Sequence, residues 1–222
     1  DCGATISVVP SAGSTTVNID LELADSISGY VWDWLGNPIS WASIEAYEYD
    51  TGSWLESASS REDGSYTLYI GRADIDAFIV KAEVWSGNFL GEYYDDKYDR
   101  ENADPIDLTE GVDHITGINF QLAQGGQIVG NVTDTNGDPI QWPSVVAYDY
   151  DTKAYVKGAN SYMDGSFSIG GLPTGTYIVR IYETDQNCGG FYDGKSMWDD
   201  ADPVSVTAGS ITENIDFELC IK

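Results

Sequence analysis

Basic side chains, histidine and cysteine are all scarce in this chain of 222 residues: 10 Lys and Arg stand against 37 Asp and Glu, with 1 His and 3 Cys. A formal charge of -27 repels nucleic acid and anionic lipid, because binding either requires a basic footprint that releases counterions. Neither role is expected. No run of about 20 apolar residues is present, so no helix is expected to enter a membrane. No basic and apolar leader opens the sequence, so an exported form is expected to be read here after its signal.

Catalytic signatures are missing as well. The single histidine, His114, falls in a polar stretch with no counterpart in the second half of the chain, and is read as a solvated loop residue. Ser and Asp are abundant, yet no nucleophile elbow or zinc-ligand spacing accompanies them. No enzyme is expected, and no cofactor beyond a possible Ca2+.

What the chain does have is repetition. One constant offset lays Gly29 on Gly130, Asp33 on Asp134, Trp41 on Trp142, Tyr47 on Tyr148 and Asp63-Gly64-Ser65 on Asp164-Gly165-Ser166. A shorter third match sets Gly13 to Leu23 against Gly209 to Leu219. The chain therefore divides into residues 1–24, which read as the tail of a repeat whose body is absent, and two modules, 25–124 and 125–222. Each module, at roughly 100 residues, is long enough to bury its own core.

Short runs of β-branched and aromatic residues at period two dominate both modules, among them Ile44 to Tyr49, Phe78 to Val84, Val145 to Tyr150 and Tyr177 to Tyr182. Gly, Pro, Asn and Asp punctuate them, and no segment sustains a 3.6 period. The reading is all-β: two tandem seven-stranded Greek-key sandwiches with antiparallel strands, preceded by an orphan N-terminal strand pair. Asn37-Pro38 and Asp138-Pro139 are expected to stop one strand, and Asp63-Gly64 and Asp164-Gly165 to form tight hairpins. The joint Ala123 to Gly126 is too brief for a free linker.

The motif Gly130-x-Val132-x-Asp134-x-x-Gly137-x-Pro139-Ile140, followed by Asp164-Gly165-x-Phe167 and Leu172-Pro173-x-Gly175-x-Tyr177, resembles the carboxypeptidase regulatory-like domain family. That family is similar in fold to transthyretin-like and Cna-B-type pilin and adhesin modules. The resemblance implies a Greek-key sandwich that serves as spacer, stalk or interaction module. In such pilin modules it also implies an internal Lys to Asn isopeptide bond. Only Lys81 lies in a strand-like run, and Arg180, near the equivalent place, cannot do that chemistry.

Both modules also repeat an acidic loop. Tyr94-Asp95-Asp96-Lys97 with Asp99 and Asp104 matches Tyr192-Asp193-Gly194-Lys195 with Asp199, Asp200 and Asp202. These carboxylates could wrap a calcium ion, which takes six to eight oxygens, or could pair with Lys97 and Lys195 instead. Asp134-x-Asn136-x-Asp138 starts like a calcium loop but continues into Pro139, and reads better as a β-turn. If Ile44 and Ala46 face the core, Tyr47 and Tyr49 point outward, as do Tyr148 and Tyr150. That repeated pair is either a sugar platform or a patch covered by a neighbouring module or chain. Asn131-Val132-Thr133 is a glycosylation sequon.

The opening segment alternates Ile6 and Val8, then Val17, Ile19, Leu21 and Leu23. A lone hairpin is marginal in water, so something is expected to cover it: further repeats of a longer chain, module one, or another copy that accepts it as donated strands. Donation would build a head-to-tail homopolymer. Cys2 could then reach Cys188 or Cys220 between chains, while a Cys188 to Cys220 bond within the chain is the alternative. Together these readings describe an extracellular, non-catalytic structural protein, the subunit of a surface filament or the stalk of an adhesin. The competing reading is a calcium-dependent, polysaccharide-binding or spacer module of a secreted hydrolase.

Overall fold

The computed structural model describes residues 25–71, 75–108 and 114–222. The orphan segment, with Cys2, Ile6, Val8, Val17, Ile19, Leu21 and Leu23, lies outside the described residues. Module one runs β1 (Asp25–Asp33), β2 (Ser43–Glu48), β3 (Trp54–Ser59), β4 (Ser65–Ile70), β5 (Ala77–Glu83), β6 (Glu92–Tyr93), β7 (Ile106–Asp107), β8 (His114–Thr116) and β9 (Phe120–Leu122). Module two repeats the order as β10 (Gly126–Asp134), β11 (Ser144–Asp149), β12 (Tyr155–Asn160), β13 (Ser166–Leu172), β14 (Gly175–Ile181), β15 (Gly190–Phe191), β16 (Val204–Val206), β17 (Ile211–Thr212) and β18 (Phe217–Leu219).

Each module is a sandwich of two sheets. In module one the first sheet has the order β4-β1-β8, with β9 also on β1, and the second has β3-β2-β5-β6, with β7 also on β5. Module two repeats this as β13-β10-β17 with β18, and β12-β11-β14-β15 with β16. Because β8 and β9 follow one another along β1, and β6 and β7 both pair with β5, the nine segments occupy three positions in one sheet and four in the other.

Two expectations change, one of strand direction and one of turn type. The closing strand is not antiparallel: β8 and β9 run parallel to β1, as β17 and β18 do to β10. The chain crosses to the second sheet and back before it closes the first, and so returns in the direction it set out. Asp63-Gly64 and Asp164-Gly165 do not close hairpins either, since β3 and β4 belong to different sheets, as do β12 and β13. Both glycines have φ of 79° and carry the chain between sheets, where the carbonyls of Gly64 and Gly165 accept from the amides of Val31 and Val132.

Alternation sorts the side chains into two cores. Ile27, Val31, Ile44, Ala46, Leu68, Phe78, Val80 and Phe120 fill the first, and Ile128, Val132, Val145, Ala147, Phe167, Val179 and Phe217 the second. Gly29 and Gly130 are repeated for a steric reason. A Cβ on either would overlap the carbonyl oxygen of Ile118 or Ile215, where the closing strand breaks between its two segments. At that break a side chain replaces the missing ladder partner: Asn119 Oδ1 accepts from Tyr30 N at 3.0 Å, and Asp216 Oδ1 from Asn131 N at 2.8 Å.

Candidate functional site

The joint between modules is built by the loop that follows β5. Leu90 N donates to Ala123 O at 2.9 Å, and Gly125 N to Asn88 O at 3.0 Å. The Asn88 side chain spans both modules: its Nδ2 donates to Gly125 O at 2.7 Å, and its Oδ1 accepts from Gly171 N at 2.6 Å. Trp34 packs on Phe89 beside it, with ring centroids 5.6 Å apart. Gly171, with φ of 73°, passes so close to Phe89 O and Lys157 Nζ that no side chain fits. Such a joint has little freedom to hinge.

The corresponding loop of module two, after β14, holds the outgoing chain in the same way but covalently. Cys188 N donates to Cys220 O at 3.0 Å, and the two cysteines form a disulfide with Cα atoms 5.3 Å apart. Lys222 adds an ion pair with Glu183. Of the pairings left open by the sequence, the one within the chain, Cys188 to Cys220, is the one formed.

The acidic loops carry their own cations. Lys97 Nζ lies 3.2 Å from Asp104 and 3.9 Å from Asp95, and Lys195 lies 3.3 Å from Asp202 and 3.9 Å from Asp193. The hydrogen bond and charge of Asp104 hold the Lys97 ammonium above its ordinary pKa. Asp99 caps a short 3-10 turn by accepting from Asn102 N at 3.0 Å, and Asp199 and Asp200 sit in the matching turn Trp198–Asp200. Asp96, with φ of 60°, stands where the second loop has Gly194. Tyr94 and Tyr192 pack on the two cores. Among the described residues, no group of three or more His, Cys, Asp or Glu is placed to hold a metal ion.

Asp134 is the turn residue its spacing suggested. Its Oδ1 accepts from Asp138 N at 2.9 Å and Asn136 N at 2.8 Å, and these bonds, the one from Asp138 foremost, hold the carboxyl below the usual range.

Tyr47 and Tyr148 do leave the core side of their sheets, but Tyr148 is not free for a partner. It is 7% exposed and closes a second apolar cluster with Val146, Ile178, Phe191 and Ala201, roofed by Trp198. Its own chain covers it, which corrects the expectation of cover by a neighbouring module or chain. Burial first, then the hydrogen bond with Tyr182, pushes its hydroxyl up to about 12. Tyr150 is half-buried under the Lys153 ammonium, 4.4 Å from the ring centroid. In module one Tyr47 is half-buried and bonds to Glu45, while Tyr49 is exposed.

Lys81 pairs with Glu83 at 2.6 Å and has no Asn among its bonded partners. His114 is in a strand rather than a turn, exposed, with Nδ1 2.8 Å from Ser26 Oγ. Asn131 is exposed on β10, where its Nδ2 donates to Asp216 at 3.2 Å. Sequence reasoning overlooked Trp85, which is 72% exposed at the module joint, and Lys157 behind it, since neither has a counterpart in the repeat.

These features define a protein of two β-sandwich modules locked end to end. No protein-family model matches the chain, and no curated protein matches it either. Among solved structures it is similar to GBS52, the minor pilin in Streptococcus agalactiae, at 11% identity and a TM-score of 0.40, over 90% of this chain and 97% of that one. It is similar to the shaft pilin SpaA from Lactobacillus rhamnosus GG at 9% identity and a TM-score of 0.38, over 90% and 98%. Similarity to the Bacillus anthracis TIE protein, at 12% identity and a TM-score of 0.36, covers 89% of this chain and only 34% of that one.

Proposed function

We propose that this chain is a non-catalytic structural protein of the cell exterior, a segment of a surface fibre or adhesin stalk whose modules follow one another head to tail. The observation that carries this reading is the joint. Asn88 ties two copies of one sandwich into a fixed relation through both of its side-chain polar atoms, as a stack of modules requires.

The orphan segment fits the same plan. Gly13 to Leu23 matches Gly209 to Leu219, the stretch that holds β17 and β18. Both described modules already have their closing strands, β8 with β9 and β17 with β18. On this reading the matching segment serves a further module, in a longer chain or in another copy. The acidic surface suits a protein that must stay dispersed outside the cell. No helix among the described residues is long and apolar enough to cross a membrane.

Negative-stain microscopy of the purified chain tests the reading directly. Threads whose length grows with concentration support assembly between copies. Single particles at every concentration, combined with an unchanged melting temperature when residues 1–24 are deleted, would overturn it.

A further inference from the structure

We propose that the groove at the module joint binds a carboxylate-bearing sugar, such as a uronate residue of an acidic polysaccharide. The groove is a cavity of about 390 Å³, within the range of small-molecule sites, and it exists only because the two modules are locked together. Trp85 and Asn88 of module one line one side; Gln127, Ser168, Lys157 and Tyr162 of module two line the other.

Its chemistry is that of a sugar-acid site. Trp85 and Tyr162, 72% and 60% exposed, both line the cavity. Aromatic faces of this kind accept the apolar face of a pyranose ring. The amide of Gln127, which donates to Ser168 Oγ at 2.5 Å, offers its remaining polar atoms to ring hydroxyls.

The lysine decides between neutral and acidic ligands. Lys157 is half-buried and makes no side-chain hydrogen bond or ion pair to any described residue. The nearby carboxylate, Glu83, is already engaged by Lys81 at 2.6 Å and makes no ion pair with Lys157. Burial holds the Lys157 ammonium below its ordinary pKa, while Glu83 pulls it the other way. A partly desolvated ammonium in this groove is best completed by an anion that brings its own hydrogen-bond acceptors, a contact short enough to act despite the net charge of -27. A carboxylate carried on a sugar ring meets the ammonium and the aromatic faces together.

The test uses the full chain, a trimer of galacturonate as probe, and the indole N–H signals in an NMR titration. Saturable binding with a Kd on the order of 1 mM is expected, weaker at high salt and about tenfold weaker for a neutral galactose trimer. Lys157→Met is expected to abolish the preference for the acidic trimer, and Trp85→Ala to weaken both sugars about tenfold. Trp85 is exposed, so that variant keeps the wild-type melting temperature. Binding unchanged in Lys157→Met, or no saturation by the acidic trimer, overturns the proposal. Equal binding of a tri-glutamate peptide also overturns it, by assigning the groove to peptide carboxylates.

Discussion

The two modules share a skeleton and differ in how each is fastened. Where module one hands its chain onward, Leu90 and Ala123 pair through backbone alone, and the next module completes the grip through Asn88. Where module two ends, Cys188 and Cys220 occupy the corresponding places and the grip is covalent. The outer faces of the second sheets diverge in the same sense. Glu45, Lys81, Glu83 and Tyr93 line that face in module one, against Val146, Arg180, Tyr182 and Phe191 in module two. Arg180 stacks over the rings of Tyr182, Phe191 and Trp198, at 4.7, 5.2 and 5.6 Å. Arg100, in the matching place to Trp198, reaches to Tyr49 O at 2.7 Å instead. Residues that set backbone geometry are held in common, and residues that seal a module against its surroundings are not.

The largest expected effect is one that both modules should share. Gly29→Ala and Gly130→Ala each force a methyl group into a carbonyl of the closing strand. Each is expected to cost about 3–5 kcal/mol in its own module. Calorimetry should show one of two unfolding transitions fall in each variant. A loss in one module only would break the equivalence of the two frames.

Much of that frame could be read from the amino acids alone. Gly29 and Gly130, Asp33 and Asp134, and Gly64 and Gly165 recur because backbone geometry requires them, and geometry that depends on single residues leaves a mark in sequence. β3 and β12 were invisible for the opposite reason: they are edge strands with mostly exposed side chains, so no alternation marks them. The parallel closing strand could not be seen either, since direction depends on how the chain crosses between sheets. Tyr148 was placed correctly on the outer side of its sheet, yet its cover, Phe191 and Trp198, comes from a distant loop that no local pattern announces. The joint groove was unreadable because its two halves belong to different modules.

The disulfide is the next way to sharpen the contrast. It closes a loop with a sequence separation of 32, which stabilises by about 3–4 kcal/mol through restriction of the unfolded chain. Reduction is expected to lower the transition of module two and leave that of module one in place. If both fall together, the modules unfold as one unit and the joint is stronger than the separate cores imply.

Somewhat less is expected from the aromatic roof. Trp198→Ala removes a half-buried ring that packs on Tyr148 and Phe191, each with centroids 4.9 Å away, and should cost about 2–3 kcal/mol. Arg100→Ala, its counterpart, loses an exposed hydrogen bond and should cost about 1 kcal/mol or less. Denaturant titration of the two variants decides: equal losses would mean that the polar and the aromatic faces seal their modules equally well.

The last contrast separates the modules by pH. Glu92 is 1% exposed on β6; its Oε1 accepts from Gln121 N at 3.1 Å, while its Oε2 has no hydrogen-bond partner among the described residues. Burial, aided by the charge of Asp96, pushes its carboxyl from 4.5 up to about 7. As pH rises from 4.5 towards 7, the unfolded chain gives up this proton while the folded chain keeps it, so the stability of module one declines across that window and levels off above it. Carboxyls held low by hydrogen bonds, such as Asp33 and Asp134, have the opposite sign and act only as pH falls below 3.8. Module two has Gly190 in the place of Glu92 and should lack the decline. The difference is expected to be on the order of 3 kcal/mol, and Glu92→Gln should remove it. Melting curves recorded from about pH 4 to about pH 8 provide the measurement. A slope that persists in Glu92→Gln would move the cause to another group and leave the two modules alike in their response to protons.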